Sequence, residues 1–192
     1  MKKIKVEFKG QTPLLMHSCQ CVNPLHPITR KLKEYTSKRT KTEEDLVAIS
    51  DLEWEGGLYY DEQVGIYIPV ENIQATIING AKANKNGKDI ERYCEILDFQ
   101  IPLDYGCDKT KDELMKDERF RDVRAVNVMR AKVMRTRPRF NKWSLEFTMR
   151  YNEEKIDLAV ICQAIEYAGS YVGLCDCRPK YGKFTAVITE LD

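Results

Sequence analysis

Lys2-Lys3-Ile4-Lys5-Val6-Glu7-Phe8-Lys9 alternates strictly: Ile4, Val6 and Phe8 fall on one face, Lys3, Lys5, Glu7 and Lys9 on the other. A period of two over eight residues is the pattern of a half-buried strand. Such a strand needs a sheet, and the sheet needs a layer to cover its apolar face. Working outward, Phe184–Leu191 reads as the last strand of the same sheet. Two amphipathic helices are predicted between these ends. Val70–Asn84 directs Ile73, Ile77, Ile78 and Ala81 inward; Lys155–Tyr167 directs Ile156, Val160, Ile161, Ala164 and Ile165 inward, with Gly169 as its expected cap. Cys94–Phe99 and Trp143–Tyr151 read as further strands. With the small elements set aside, the order is strand, helix, strand, strand, helix, strand. That order predicts an α+β, ferredoxin-like (RRM-like) antiparallel sheet with two packing helices.

A helical insertion is expected over residues 23–57, after the first strand, within a single domain spanning 1–192. Pro27 is placed to open a helix through Lys38, and Thr42 with Asp45 forms a capping-box pattern ahead of Leu46, Ile49 and Leu52. Gly56-Gly57 reads as a turn, followed by a hairpin of Leu58-Tyr59-Tyr60 and Ile66-Tyr67-Ile68.

Hydrophobic residues make up 43% of the 192, enough for a core, and no apolar run approaches the length of a membrane span. The first residues lack the apolar region of a signal peptide, so a cytoplasmic setting is expected. Seven cysteines then read as reduced thiols.

Charge is concentrated in one place. Val126–Phe140 reads V-N-V-M-R-A-K-V-M-R-T-R-P-R-F, with Arg130, Lys132, Arg135, Arg137 and Arg139 alternating with small or apolar residues. From Arg119 to Lys142 there are nine cations and one acid, a local +8; the whole chain carries +1, so the remainder sums to −7. This asymmetry suits a polyanion ligand; the alternative is a solvated strand face balanced by acidic helices. The alternation slips once: Arg130 and Lys132 are even-numbered, the other three odd. A bulge, a bend or a face switch near Val133–Met134 is expected to absorb the slip. Pro138 cannot donate to a ladder, which predicts an edge or a strand end there.

Two segments carry a family resemblance: Gly10-Gln11-Thr12-Pro13-Leu14-Leu15-Met16-His17 after the first strand, and Gly173-Leu174-Cys175-Asp176-Cys177-Arg178-Pro179-Lys180-Tyr181-Gly182-Lys183-Phe184 before the last. The second resembles the glycine-rich loop of the repeat-associated mysterious protein (RAMP) superfamily, whose members build the RNA-binding backbone of CRISPR effector complexes. The middle of the chain resembles uncharacterised tailed-bacteriophage proteins, through Glu55-Gly56-Gly57-Leu58-Tyr59-Tyr60, Tyr67-Ile68-Pro69, and Arg135-Thr136-Arg137-Pro138-Arg139-Phe140 with Trp143. The resemblance implies single-stranded nucleic-acid binding. Some RAMP ribonucleases pair a His near the first helix with a basic or tyrosyl partner, which would make His17 and Tyr181 the counterparts here.

The expected function is therefore non-enzymatic binding of single-stranded DNA or RNA, directed at the backbone with little sequence specificity. The expected contacts are Arg130, Lys132, Arg135, Arg137, Arg139, Trp143, Arg178, Lys180, Tyr181 and Lys183. Tyr59, Tyr60, Tyr67 and Phe140 are further stacking candidates, unless they belong to the core. The expected assembly is either a homo-oligomer along the strand or a host protein complex. One alternative is an interaction protein that mimics or blocks a host defence complex, as an anti-CRISPR protein does; a second is a metal-independent RAMP-type ribonuclease. No cofactor is expected. Cys19-x-Cys21 and Cys175-x-Cys177 flank neighbouring strands in the expected sheet, so four thiolates for zinc is one reading; small buried residues without metal is the one preferred.

Overall fold

The computed structural model describes residues 1–129 and 131–191. Its strands are β1 (Lys2–Gly10), β2 (Leu14–Leu15), β3 (Tyr60–Asp61), β4 (Gly65–Pro69), β5 (Cys94–Ile96), β6 (Gln100–Pro102), β7 (Arg121–Val128), β8 (Ala131–Phe140), β9 (Ser144–Tyr151) and β10 (Phe184–Leu191). Its α-helices are α1 (Pro27–Thr36), α2 (Glu43–Gly57), α3 (Val70–Lys82), α4 (Gly87–Tyr93), α5 (Lys111–Lys116) and α6 (Leu158–Tyr167). The chain divides into two compact units: residues 1–14, 60–107 and 141–192 form the first, residues 15–59 and 108–140 the second.

The first unit is built on the sheet β10-β1-β9-β5, antiparallel throughout. With α3 after β1 and α6 after β9, the order is βαββαβ and the sheet runs fourth, first, third, second. This is the ferredoxin-like arrangement expected from the sequence. The alternation of β1 is realised: Ile4, Val6 and Phe8 are fully buried. Phe8 stacks on Phe184 at 3.9 Å and meets Phe147 edge-on at 5.2 Å. Each such side chain contributes about 1.5–3 kcal/mol by leaving water. Helices α3 and α6 meet closely at Gly80, where a Cβ would lie 2.2 Å from the Ala164 carbonyl oxygen.

Two local expectations for this unit are corrected. The strand expected over Cys94–Phe99 stops at Ile96, and Gln100–Pro102 pairs with β4 instead. Phe99 is exposed, so the apolar run does not continue into the core. Gly169 does not cap α6: it lies in a π-helical turn, Ala168–Val172, and Gly173 at φ +80° ends the turn.

The second unit holds α1 and α2, the hairpin β7–β8 and α5. Both halves of the Thr42–Asp45 capping box form, and Asp45 also receives the Lys38 ammonium at 2.5 Å. The Thr110–Glu113 box opens α5 in the same way. Gly56 and Gly57 finish α2 rather than forming a turn. A Cβ on Gly56 would sit 2.2 Å from Cys21 Sγ, so the residue is needed for close approach. Trp54, fully buried, donates its indole N–H to the Phe120 carbonyl at 2.8 Å.

Candidate nucleic-acid interface

The basic stretch folds across a hairpin instead of running as one strand. The ladder pairs Arg121 with Pro138 and continues without interruption to Val128 with Ala131. The bulge expected at Val133–Met134 is therefore absent. Even-numbered Lys132 shares a strand face with Met134, Thr136 and Pro138, while Arg135, Arg137 and Arg139 take the other face. Arg130 lies outside the described residues. Nor is Pro138 on an edge: β8 is the middle strand of β2-β8-β7. The missing N–H is tolerated because β2 is two residues long and Pro138 still accepts from the Met16 amide, at 3.0 Å.

Several of these cations are already engaged. Arg135 pairs with Glu53 of α2, which is only 8% exposed and also accepts the Thr136 amide at 2.9 Å. Arg121 reaches Asp51 at 2.7 Å, Ser50 Oγ at 2.8 Å and the Met115 carbonyl. Arg124 chelates Asp122. Asp122 is also opposite Arg137 in the ladder. Arg137 and Arg139 are half-buried and each has a partner. Lys132 is exposed and makes no ion pair among the described residues. As a phosphate-binding row the four described cations are thus divided, and Arg135 is first of all the partner of a buried carboxylate.

The Gly173–Gly182 loop in the first unit has a different character. Its ends are tied together: the Leu174 amide donates to the Gly182 carbonyl at 2.9 Å, and the Gly182 amide donates to the Pro13 carbonyl at 2.9 Å. The Lys183 carbonyl accepts from the Gln11 amide, and its own amide donates to Thr12 Oγ1. Four loop residues have left-handed backbone: Gly173, Cys175, Cys177 and Gly182. Thr76 Oγ1 donates to the Gly173 carbonyl at 3.2 Å, pinning the loop to α3. What this frame presents is Arg178 and Lys180, both exposed and without an ion pair among the described residues. Lys183 and Tyr181 are half-buried. The two ends that resemble the RAMP pattern are therefore joined by backbone hydrogen bonds.

Trp143 is a core residue, 5% exposed: it covers Gly10, meets Phe184 edge-on at 6.3 Å and donates to the Thr12 carbonyl at 2.9 Å. Its expected role in base stacking is corrected by that burial. Phe140 is likewise fully buried, packed on Phe120. Tyr60 keeps a partly exposed ring, while Tyr59 and Tyr67 are half-buried. An aromatic pair absent from the expected contacts stands at the surface instead. Tyr167 and Tyr171, 40% and 65% exposed, pack with ring centroids 4.7 Å apart. Their spacing of four, outside the apolar stripe of α6, is the sequence signal for it.

Cys19 and Cys21 belong to the second unit with His17 and His26; Cys175, Cys177 and Tyr181 belong to the first. Among the described residues no group of three or more His, Cys, Asp or Glu is placed to hold a metal ion. His26 caps α1, its Nδ1 accepting the Ile28 amide at 3.3 Å. Burial pushes the Cys94 and Cys175 thiols up to about 12, and the Asn72 amide lies 3.8 Å from Cys175 Sγ. At pH 8 a thiol at that value is thiolate in only about one molecule in ten thousand. Cys19 and Cys107 are exposed. With a disulfide reagent at pH 8, Cys19 and Cys107 are expected to react first and buried Cys94 only on unfolding. Mass mapping of labelled peptides checks this, and early labelling of Cys94 would contradict it.

No helix among the described residues is long and apolar enough to cross a membrane. No family model matches the chain, and no curated protein matches it. Among solved structures, the chain is similar to a chain in the cryo-EM structure of the Type III-B Cmr-beta bound to cognate target RNA, with a TM-score of 0.53 and 12% sequence identity. The match covers 98% of this chain and 61% of that one, so this chain spans about three fifths of its neighbour's length. At that identity the likeness is one of fold, and it agrees with the α+β, ferredoxin-like arrangement read from the order of strands and helices.

Proposed function

We propose that this protein binds single-stranded nucleic acid through its phosphates, with the Gly173–Gly182 loop as the principal contact. The observation that carries this reading is the loop itself: a frame held by its own backbone that presents Arg178 and Lys180 in water without ion-pair partners among the described residues. Cations held this way gain most from a polyanion, since no existing pair has to be broken. Lys132 on the second unit is a further contact, whereas Arg135, paired with Glu53, serves the fold. The fold likeness to a chain of an RNA-bound assembly agrees with this reading. The wider setting suggested by the phage-type resemblance, a homo-oligomer coating a strand or a subunit of a host complex, is part of the same proposal.

The test is titration of a labelled single-stranded oligonucleotide across a salt series, as DNA and as RNA. Arg178→Ala/Lys180→Ala is expected to weaken binding and to reduce the salt slope by about 1.4, at about 0.7 per phosphate contact on a single strand. Lys132→Ala is expected to reduce it by about 0.7. An unchanged slope in the loop variant, with its fold intact, would reject the loop as the contact.

One observation favours a second reading, a protein partner. Leu46, Val123 and Met134 on the second unit are each more than half exposed and line a groove of about 590 Å³. Exposed apolar surface of this kind often marks an interaction site. Purification that yields a host protein and no nuclease-sensitive material would favour it.

A further inference from the structure

The surface beside the loop carries more than charge. Tyr171 follows α6 in the π-helical turn and is 65% exposed, yet its ring is held by Tyr167 at 4.7 Å and 41°. An exposed aromatic ring fixed by a neighbouring ring presents a pre-oriented open face. Tyr171 borders an open depression of about 560 Å³ whose other walls include Asn79, Asp176, Arg178 and Pro179. One wall is thus an aromatic side chain and another carries a guanidinium without an ion pair among the described residues. The floor is fixed by the Thr76 and Asn72 contacts to the loop.

We infer that this depression is a nucleotide subsite, in which an unpaired base stacks on the open face of Tyr171 while Arg178 contacts the adjoining phosphate. The inference rests on the loop's proposed role as the phosphate contact and adds a base-stacking component to it. Stacking of this type tolerates every base, because each has a π-face. Hydrogen bonding by the Tyr171 hydroxyl is not required, so Tyr171→Phe retains the interaction.

The experiment measures binding of labelled homopolymeric single strands, as DNA and as RNA, and of an otherwise identical strand of abasic sites. Wild type, Tyr171→Ala, Tyr171→Phe and Arg178→Ala/Lys180→Ala are compared, each with its thermal unfolding midpoint recorded. Tyr171→Ala is expected to bind about 5- to 150-fold more weakly, with its salt slope unchanged. Tyr171→Phe should bind as wild type. The abasic strand should bind wild type as weakly as Tyr171→Ala binds the base-bearing strands, and the substitution should cost it nothing further. If Tyr171→Ala binds all strands like wild type while the loop double variant still loses affinity and slope, the subsite is wrong and the loop contact stands. If wild type binds none of the strands, both are wrong. Equal affinity of wild type for abasic and base-bearing strands would also overturn the subsite.

Discussion

Glu53→Ala is expected to lower the thermal unfolding midpoint by roughly 6–12 °C, from a loss of about 3 kcal/mol at about 2–4 °C per kcal/mol for a chain of this size. Glu53 is 8% exposed and performs two tasks: it neutralises Arg135 and accepts the Thr136 amide at 2.9 Å. Removing it leaves a cation facing α2 and a strand N–H without an acceptor. The loss exceeds the net worth of the pair, because breaking a buried pair strands the survivor. The double variant Glu53→Met/Arg135→Met should therefore recover part of the loss. Differential scanning calorimetry on wild type, each single variant and the double variant provides the measurement. A Glu53→Ala midpoint within about 2 °C of wild type would show that the pair does not hold the hairpin to α2. Arg135→Ala completes the separation of roles: it should destabilise the protein and leave the oligonucleotide salt slope unchanged.

That pair marks where the sequence ceases to be legible. The fold is readable because β1, α3, α6 and β10 each carry a regular apolar pattern, and such a pattern specifies both the element and its covered face. The sheet order then follows from the succession of elements. The charge run is harder to read in detail for a related reason. Alternation of Arg with small residues identifies a strand, but does not say what stands opposite each guanidinium. Glu53 is 82 positions from Arg135 in the chain, on a helix whose acids resemble a solvated face. Likewise the hairpin turn inside the basic stretch has no glycine-bearing turn signal, and Met129 takes φ +55° instead. Trp143 illustrates the opposite limit: a Trp in an alternating strand is as consistent with a core as with a stacking platform. Only its position over Gly10, with the N–H given to Thr12, decides.

The loop, by contrast, is marked in the sequence by two glycines, and Gly182 carries the other large expectation. Gly182 lies at φ +70°, and a Cβ added there would meet the Leu174 carbonyl oxygen at 2.0 Å. A left-handed L-residue costs about 1–2 kcal/mol before any contact is considered. The overlap adds to that, because the atom in the way is backbone, and the amide of the same residue is bonded to the Gly182 carbonyl. Gly182→Ala is expected to cost about 3 kcal/mol or more, or roughly 6 °C and upward in the midpoint. Gly65 and Gly106 supply the internal control: both have positive φ, and nothing lies within 4 Å of a Cβ at either. Their alanine variants should show the conformational cost alone, about 1–2 kcal/mol. The same substitution separates frame from contact in the binding assay. If the closure between Leu174 and Gly182 positions Arg178 and Lys180, Gly182→Ala loses oligonucleotide affinity at temperatures where its overall fold, followed by circular dichroism, is intact. Gly65→Ala and Gly106→Ala keep that affinity. Equal stability of all three variants would mean that the loop yields without strain, and the pre-set frame on which the phosphate contact depends would have to be abandoned.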